Sequence, residues 1–476
     1  MRKKILIGLL ILLGVFLIGR SYISGKGENY FREFLAAYNR AQKGDVQLEL
    51  EQYRNGWSGA ETTVRVRSPA LEAVGGELPF RKPLQIGMRV GYGPFFLSSL
   101  SSGLLRIESE GSFSRWLDVE HRKRFLETVP GDLSYRYLGR MDLFHVMHER
   151  IALSKVEAFD VKEKQRLILE PVEIVSDFVL ASLKGRAEFV SDGLLLEDGK
   201  NGESLELERP RIEARIQEFR EEGPIFGEFG FSADELRLTL KTPRIHTLRF
   251  DGEGELSLLK QNDNLADFRL SLGGRAMNRT TRESWEGVRE ASVELRLQNL
   301  GVPGIEAAVK MQREQARVRR EMLAASRKGD DPAMQKAILA LQALDGRWIG
   351  IYNSLFLPGK TRLTLDERIV TEKESRLRLD LTFTGERLQG DPMNAFISLA
   401  AHADRLAEGS FDLVLERALA RKISPEAALV LDSMVEKGLA KLEEGLYRLK
   451  GEIRGGKIVI NGTRYDPQEL ALMILI

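Results

Sequence analysis

Residues 376–383 read Arg-Leu-Arg-Leu-Asp-Leu-Thr-Phe, so that apolar side chains fall on every second position. Because successive side chains of a β-strand point to opposite faces of the sheet, the three leucines and Phe383 would lie together on one face. Burying each of these side chains is worth about 1.5–3 kcal/mol, which makes an uncovered face of this kind costly. The stretch therefore predicts a strand with one apolar and one polar face.

The same alternation recurs through the part of the chain between Val46 and Leu300. Segments with this pattern are 46–51, 212–216, 236–240, 254–258, 268–272 and 293–297. One buried and one wet face is typical of antiparallel sheets, and strands do not alternate with helices as they do in parallel α/β enzymes. We expect residues 25–300 to form a β-rich domain with a large extended antiparallel sheet, interrupted by short helices near 30–41 and 116–128.

After the break at residues 301–304 the pattern changes to α+β. Helix-favouring composition or capping residues predict helices over 305–327, 332–344, 391–406 and 424–442, with strands between them. A closing hairpin is expected from 446–453 and 457–460. The fold class predicted for the whole chain is α+β and predominantly antiparallel β, with helices covering one face of a sheet in a second domain at 301–476.

The N-terminus carries a long apolar run behind a basic start. Arg2, Lys3 and Lys4 precede an uncharged stretch that, extended to Ser24, gives about 30 Å of helix, close to one bilayer thickness. This predicts a cytoplasmic stub at 1–4 and a transmembrane signal-anchor helix at 5–24. A cleaved signal peptide is the alternative. In either case the rest of the chain would lie outside the cytoplasm.

Composition and motifs argue against several classes of function. With 71 Lys+Arg against 70 Asp+Glu, there is no surplus of cations to bind nucleic acid. The absence of Cys excludes disulfides, thiolate metal sites and Cys nucleophiles. We find no G-x-S-x-G elbow and no G-x-G-x-x-G after a strand. His145 and His148 form the one close histidine pair, without a third ligand in view. We therefore predict no catalytic, cofactor-binding or metal-binding residues.

Several short motifs at predicted turns resemble those of a known family. They lie in the segment 53–58, after the strand expected at 84–90, and at the end of the closing hairpin. Together with the N-terminal anchor they resemble the YdgA-like family of bacterial envelope proteins, whose function is unknown. The resemblance implies the bacterial inner membrane as location, with a single span and the bulk of the chain in the periplasm. The residues that carry it are Gly56, Trp57, Gly93, Pro94, Asn461 and Gly462.

Three functional hypotheses follow. The first is a non-enzymatic envelope scaffold or interaction protein. The second is a lipid-handling protein that holds acyl chains in a groove on an amphipathic sheet, and the third is a hydrolase whose residues are too dispersed to recognise. The expected partners are the inner membrane through residues 5–24, an envelope protein or a second copy of the chain, and possible lipid. No cofactor is expected.

Overall fold

The computed structural model describes residues 2–42, 46–56, 59–68, 84–96, 101–160, 164–220, 223–242, 244–276, 287–385, 406–467 and 469–470, and for residues 2–19 it describes the backbone alone. The chain divides into two compact units, Met1–Glu221 and Glu222–Ile476. Strands account for 53% of the structure and helices for 28%. The prediction of a β-rich protein is confirmed.

The first unit contains one long helix and a succession of antiparallel strands. Its helices are α1 (Arg2–Ala41) and α2 (Val119–Thr128), with a 3₁₀ turn at Phe113–Trp116. Its strands are β1 (Gln47–Asn55), β2 (Gly59–Arg67), β3 (Leu84–Tyr92), β4 (Phe95–Phe96), β5 (Ser101–Ser102), β6 (Leu105–Ser112), β7 (Ser134–Met141), β8 (Val146–Leu153), β9 (Val156–Asp160), β10 (Gln165–Leu169), β11 (Val172–Val179), β12 (Gly185–Ser191), β13 (Gly193–Asp198), β14 (Glu203–Glu208) and β15 (Arg211–Phe219).

Apart from the short pair β4–β5, the strands of the first unit form two antiparallel ladders. The longer ladder pairs β1, β2, β3, β6, β7, β8, β11, β12 and β15 in that order. The shorter one pairs β9, β10, β13 and β14. A single residue, Asp192, separates β12 from β13. Beside it the buried Ser191 hydroxyl donates to the carbonyl oxygens of Glu170 and Gly193. These bonds satisfy backbone acceptors where the chain passes from one ladder to the other.

The C-terminal half of α1 covers part of one sheet face in the first unit. Phe31, Phe34 and Leu35 are buried in a cluster with sheet residues such as Val64 and Ile107. The spacing of the apolar residues on α1 places them on one side of the helix. In this half, the helix is therefore held by the sheet it covers.

The transmembrane helix predicted at residues 5–24 is wrong. These residues belong to α1, which continues without a break to Ala41. Among the residues described with their side chains, no helix is both long enough and apolar enough to cross a membrane. The sequence suggested an end at Ser24 because the uncharged run from Ile5 to Gly19, continued through Ser24 with Arg20 as its one charge, gives 20 residues, about the length of a membrane span. Beyond that point the amphipathic pattern simply continues the same helix, with Arg32 paired to Glu28 on its exposed side.

The second unit contains longer strands and two groups of helices. The strands are β16 (Ile225–Thr242), β17 (Arg244–Lys260), β18 (Leu265–Ala276), β19 (Glu290–Gly301), β20 (Arg362–Val370), β21 (Glu374–Phe383), β22 (Ala407–Glu416), β23 (Lys441–Glu443), β24 (Leu446–Arg454), β25 (Lys457–Ile460) and β26 (Thr463–Tyr465). The helices are α3 (Val302–Lys328), α4 (Asp331–Asp345), α5 (Trp348–Leu355), α6 (Arg417–Ile423) and α7 (Pro425–Glu436).

Strands β16 to β22 pair one after another as an antiparallel meander, and β22 continues to β24, β25 and β26. The sheet is continuous across the boundary predicted between residues 300 and 301. β19 and β20 are neighbours in one sheet, and helices α3 to α5 are inserted between them. The change of sequence pattern after residue 300 marks that insertion.

Two helices of the second unit, α4 and α7, begin at residues whose side chains cap them. Asp330 accepts a hydrogen bond from the backbone N–H of Ala333 at the start of α4, and the helix begins at Asp331, one residue before the predicted start at 332. Ser424 accepts one from Ala427 at the start of α7, as its sequence suggested. α7 ends at Glu436, earlier than expected. The helix predicted over 391–406 lies largely outside the described residues.

Candidate functional site

One face of the β16–β22 meander is built from rows of apolar side chains in register. The middle row joins seven strands and consists of Phe229, Leu256, Leu270, Leu295, Leu365, Leu379 and Phe411. A row on one side of it contains Leu258, Phe268, Leu297, Leu363 and Leu381, and a row on the other contains Phe231, Leu272, Val293, Glu367, Leu377 and Leu413. We call these three rows the leucine face.

Helices cover the leucine face at its margins. At one margin, Phe268 and Leu297 pack against a buried cluster that includes Val302 of α3. At the other, Phe411 and Leu413 pack against the cluster that contains α6 and α7. Both groups of helices thus meet strands near the edges of the face.

Between these margins the described residues leave the leucine face partly exposed. The five leucines of the middle row do not belong to any buried cluster formed by the described residues, and none of them is fully buried. Leu256 and Leu272 are 40% and 49% exposed. A contiguous apolar surface of this kind typically marks a binding surface.

The opposite face of the same strands is covered by ion pairs. Arg269 and Arg296 both contact Glu294, at 2.5 and 2.7 Å. On the next strands Arg376 contacts Asp366 at 2.5 Å, and its hydrogen bond lowers the pKa of that carboxyl group below its ordinary value. The charged face is suited to water, so the strong difference in polarity between the two faces singles out the leucine face as the candidate site.

Glu367 is a carboxylate within the leucine face. It lies in register between Val293 and Leu377, where the alternation of β20 would place an apolar residue. The described part of the chain provides no hydrogen-bond or ion-pair partner for it. The leucine face therefore carries one carboxylate, that of Glu367, among apolar side chains.

The glycine motifs singled out in the sequence lie at turns and are not part of the three rows of the leucine face. Gly56 donates its backbone N–H to the carbonyl of Gly59, and Trp57 lies outside the described residues. Asn461 and Gly462 both have positive φ in the two-residue connection from β25 to β26, the backbone of a type I′ hairpin turn.

The Gly93–Pro94 peptide bond is cis. A Cβ at Gly93 would fall 1.6 Å from the carbonyl oxygen of Gly103, so the close approach of the two backbones requires glycine. None of the described motif residues contributes a side chain to the leucine face. Their arrangement indicates that they determine the path of the backbone at these turns.

His145 and His148 are held apart by the structure. His145 lies in the turn before β8 with its Nδ1 3.0 Å from Glu33 of α1, and its ring meets Tyr30 edge-on. His148 lies in β8 with its Nδ1 2.6 Å from Asp177. Within the described ranges, no group of three His, Cys, Asp or Glu side chains is placed to hold a metal ion.

A half-buried carboxyl group in the first unit was not identified from the sequence. Glu149 lies on the face of β8 that also carries Met147 and Ile151, and it accepts hydrogen bonds from Tyr137 at 2.6 Å and Ser176 at 2.9 Å. Burial raises the pKa of Glu149, and this effect exceeds that of the hydrogen bonds from Tyr137 and Ser176, which lower the pKa. A charged residue at an apolar position of the alternation was the signal that could have identified it.

No family model, curated protein or solved structure matches this chain. The resemblance to the YdgA-like family therefore stays a prediction from short motifs.

Proposed function

We propose that the protein binds lipid acyl chains along the leucine face of its second unit. The observation that carries this proposal is the middle row, in which Leu256, Leu270, Leu295, Leu365 and Leu379 stand in register on consecutive strands without being buried. With about 4.8 Å between strands, the row from Leu256 to Leu379 extends over roughly 19 Å. It offers an acyl chain a continuous apolar track.

The chemistry of the rows favours lipid over a protein partner. Burial of each methylene group of an acyl chain is worth about 0.8 kcal/mol, and a leucine surface provides this without directional contacts. The cores of protein interfaces are enriched in Tyr, Trp, Phe, Met and Arg. The three rows of the leucine face contain four phenylalanines, Phe229, Phe231, Phe268 and Phe411, but no Tyr, Trp, Met or Arg. An interaction surface for protein, which the sequence also suggested, would be expected to include side chains that combine apolar area with a polar group, such as Tyr, Trp or Arg.

The first experiment is extraction of lipid from the purified full-length chain, followed by mass spectrometry. The proposal predicts acyl lipids recovered in a fixed ratio to protein after extensive washing. Purified, folded protein that carries no lipid and takes up none from added vesicles would contradict it. In that outcome, a protein found on the leucine face by cross-linking would support the scaffold hypothesis.

A further inference from the structure

A groove of about 470 Å³ lies on the longer ladder of the first unit, among β1, β2, β3, β6 and β7. Four arginines line it: Arg54, Arg89, Arg115 and Arg136. Its volume falls within the usual range for small-molecule sites. The groove belongs to a different unit from the leucine face, so its properties are independent of the function proposed above.

The strand register determines which side of the sheet carries these charges. Arg54 lies opposite Glu61, Glu61 opposite Arg89, and Arg89 opposite Glu108, so that one row of alternating charge crosses four strands. The neighbouring positions Ala60 and Val90 are buried in the cluster with α1. Since successive residues alternate between faces, the charged row lies on the side of the sheet away from α1.

The arginines of the groove differ from those beside them in their partners. Nearby on the same strands, Arg67 pairs with Glu49 at 3.0 Å and Arg106 pairs with Glu108 at 2.5 Å. Arg65 pairs with Glu51. In contrast, among the described residues no carboxylate lies within ion-pair distance of the four groove arginines. The donors of Arg89, Arg115 and Arg136 are thus available to a ligand, whereas Arg54 donates to the side-chain amide oxygen of Gln52 at 2.9 and 3.0 Å.

Two carboxylates in the groove are also unpaired within the described part of the chain. They are Glu61 and Glu110. Their presence disfavours a ligand that carries negative charge alone. It suits a ligand with an anionic group for the arginines and a cationic group for a glutamate.

Gly87 leaves space at the groove. A Cβ built on Gly87 meets no atom within 4 Å, and the residue does not have a positive φ. A larger residue therefore fits the backbone at this position and would occupy the groove. This provides a way to block the groove without changing its charges.

We propose that this groove binds a phosphate ester that also carries an ammonium group, the chemistry of phosphoethanolamine. Guanidinium groups bind phosphate through paired hydrogen bonds in a fixed planar geometry, which makes arginine the preferred residue for this recognition. Glu61 or Glu110 receives the ammonium group. The same chemistry occurs in a free phosphate ester and in a lipid headgroup.

The test is calorimetric titration of the full-length protein with phosphoethanolamine, inorganic phosphate and ethanolamine. We expect the strongest binding for phosphoethanolamine, with an affinity that falls as salt is raised. Arg89→Gln and Gly87→Val should each weaken it at least tenfold, the first by removing a donor and the second by filling the groove. Arg67→Gln, whose arginine is paired outside the groove, should bind as the wild type does.

Vesicles with and without phosphatidylethanolamine distinguish the two sources of the ligand. Groove-dependent binding to the phosphatidylethanolamine vesicles supports a lipid headgroup, and binding of the free ester alone supports a soluble phosphate ester. Absence of binding to phosphoethanolamine in any form overturns the proposal. Binding that survives both Arg89→Gln and Gly87→Val in folded protein also overturns it, because the ligand would then lie elsewhere.

Discussion

Leu295 of β19 lies directly opposite Leu365 of β20, although helices α3, α4 and α5 come between them in the chain. This pairing makes the sheet continuous across the helical insertion. It also makes the leucine face continuous, because both residues belong to the middle row. The functional proposal depends on this continuity and on the row being accessible.

Truncation of a leucine in the middle row should cost little stability. Leu365→Ala is expected to lower the free energy of unfolding by less than about 1 kcal/mol, because the side chain is not fully buried. Phe226→Ala is the matched comparison, since Phe226 is fully buried beneath α3, and its loss should cost about 3–5 kcal/mol. Urea denaturation measures both. A cost for Leu365→Ala as large as that for Phe226→Ala would mean that the row is covered.

Two glycines of α1 should respond in opposite ways to replacement by alanine. Alanine is favoured over glycine in a helix by about 1 kcal/mol, so Gly25→Ala, where a Cβ meets nothing, should be neutral or stabilising. A Cβ at Gly27 would fall 2.2 Å from the ring of Tyr92, and we expect Gly27→Ala to be destabilising. Thermal unfolding of the two variants measures both changes in stability. Stabilisation by Gly27→Ala would contradict the packing of α1 against β3.

Replacement of Glu149 should change how stability depends on pH. Because its pKa is raised in the folded state, the contribution of Glu149 to stability is fully present below the ordinary glutamate value of 4.5 and is lost as the pH rises from there through the raised value. Each unit of the shift corresponds to about 1.4 kcal/mol.

The Glu149→Gln variant should lack this loss, since an amide can accept from Tyr137 and donate to Ser176 without a charge. Urea denaturation between pH 4 and pH 8 compares it with the wild type. A pH profile that Glu149→Gln leaves unchanged would show that the pKa of Glu149 is not raised in the folded protein.

The local structure of the strands could be predicted from the sequence because alternation reports directly on which face is buried. Residues 376–383 and the segments before Leu300 follow this rule, and the turn at Asn461–Gly462 has the residues that a tight hairpin requires. Which strands pair when they are far apart in the sequence could not be predicted in the same way. Nothing in the sequence of β19 or β20 indicates that these two strands pair with each other rather than with other strands.

The N-terminal helix was misinterpreted for a physical reason as well. An uncharged run of membrane length and the first half of a long helix that later packs on a sheet look alike in sequence. The groove arginines were not predictable either, because Arg54 and Arg89 follow the ordinary polar positions of their strands. Only the three-dimensional arrangement distinguishes them from Arg67, which has a partner.

Binding of a fluorescent fatty acid to two adjacent variants of β20 tests the central claim most directly. Leu365→Asp places a carboxylate in the middle row, and Thr364→Asp makes the same substitution on the opposite face, where Arg296 lies in register. Both proteins should retain the wild-type circular dichroism spectrum. We predict that Leu365→Asp loses at least tenfold in affinity for the fatty acid and that Thr364→Asp binds as the wild type does. Equal binding by the two folded variants, or none by the wild type, would contradict the assignment of the leucine face as a lipid-binding surface.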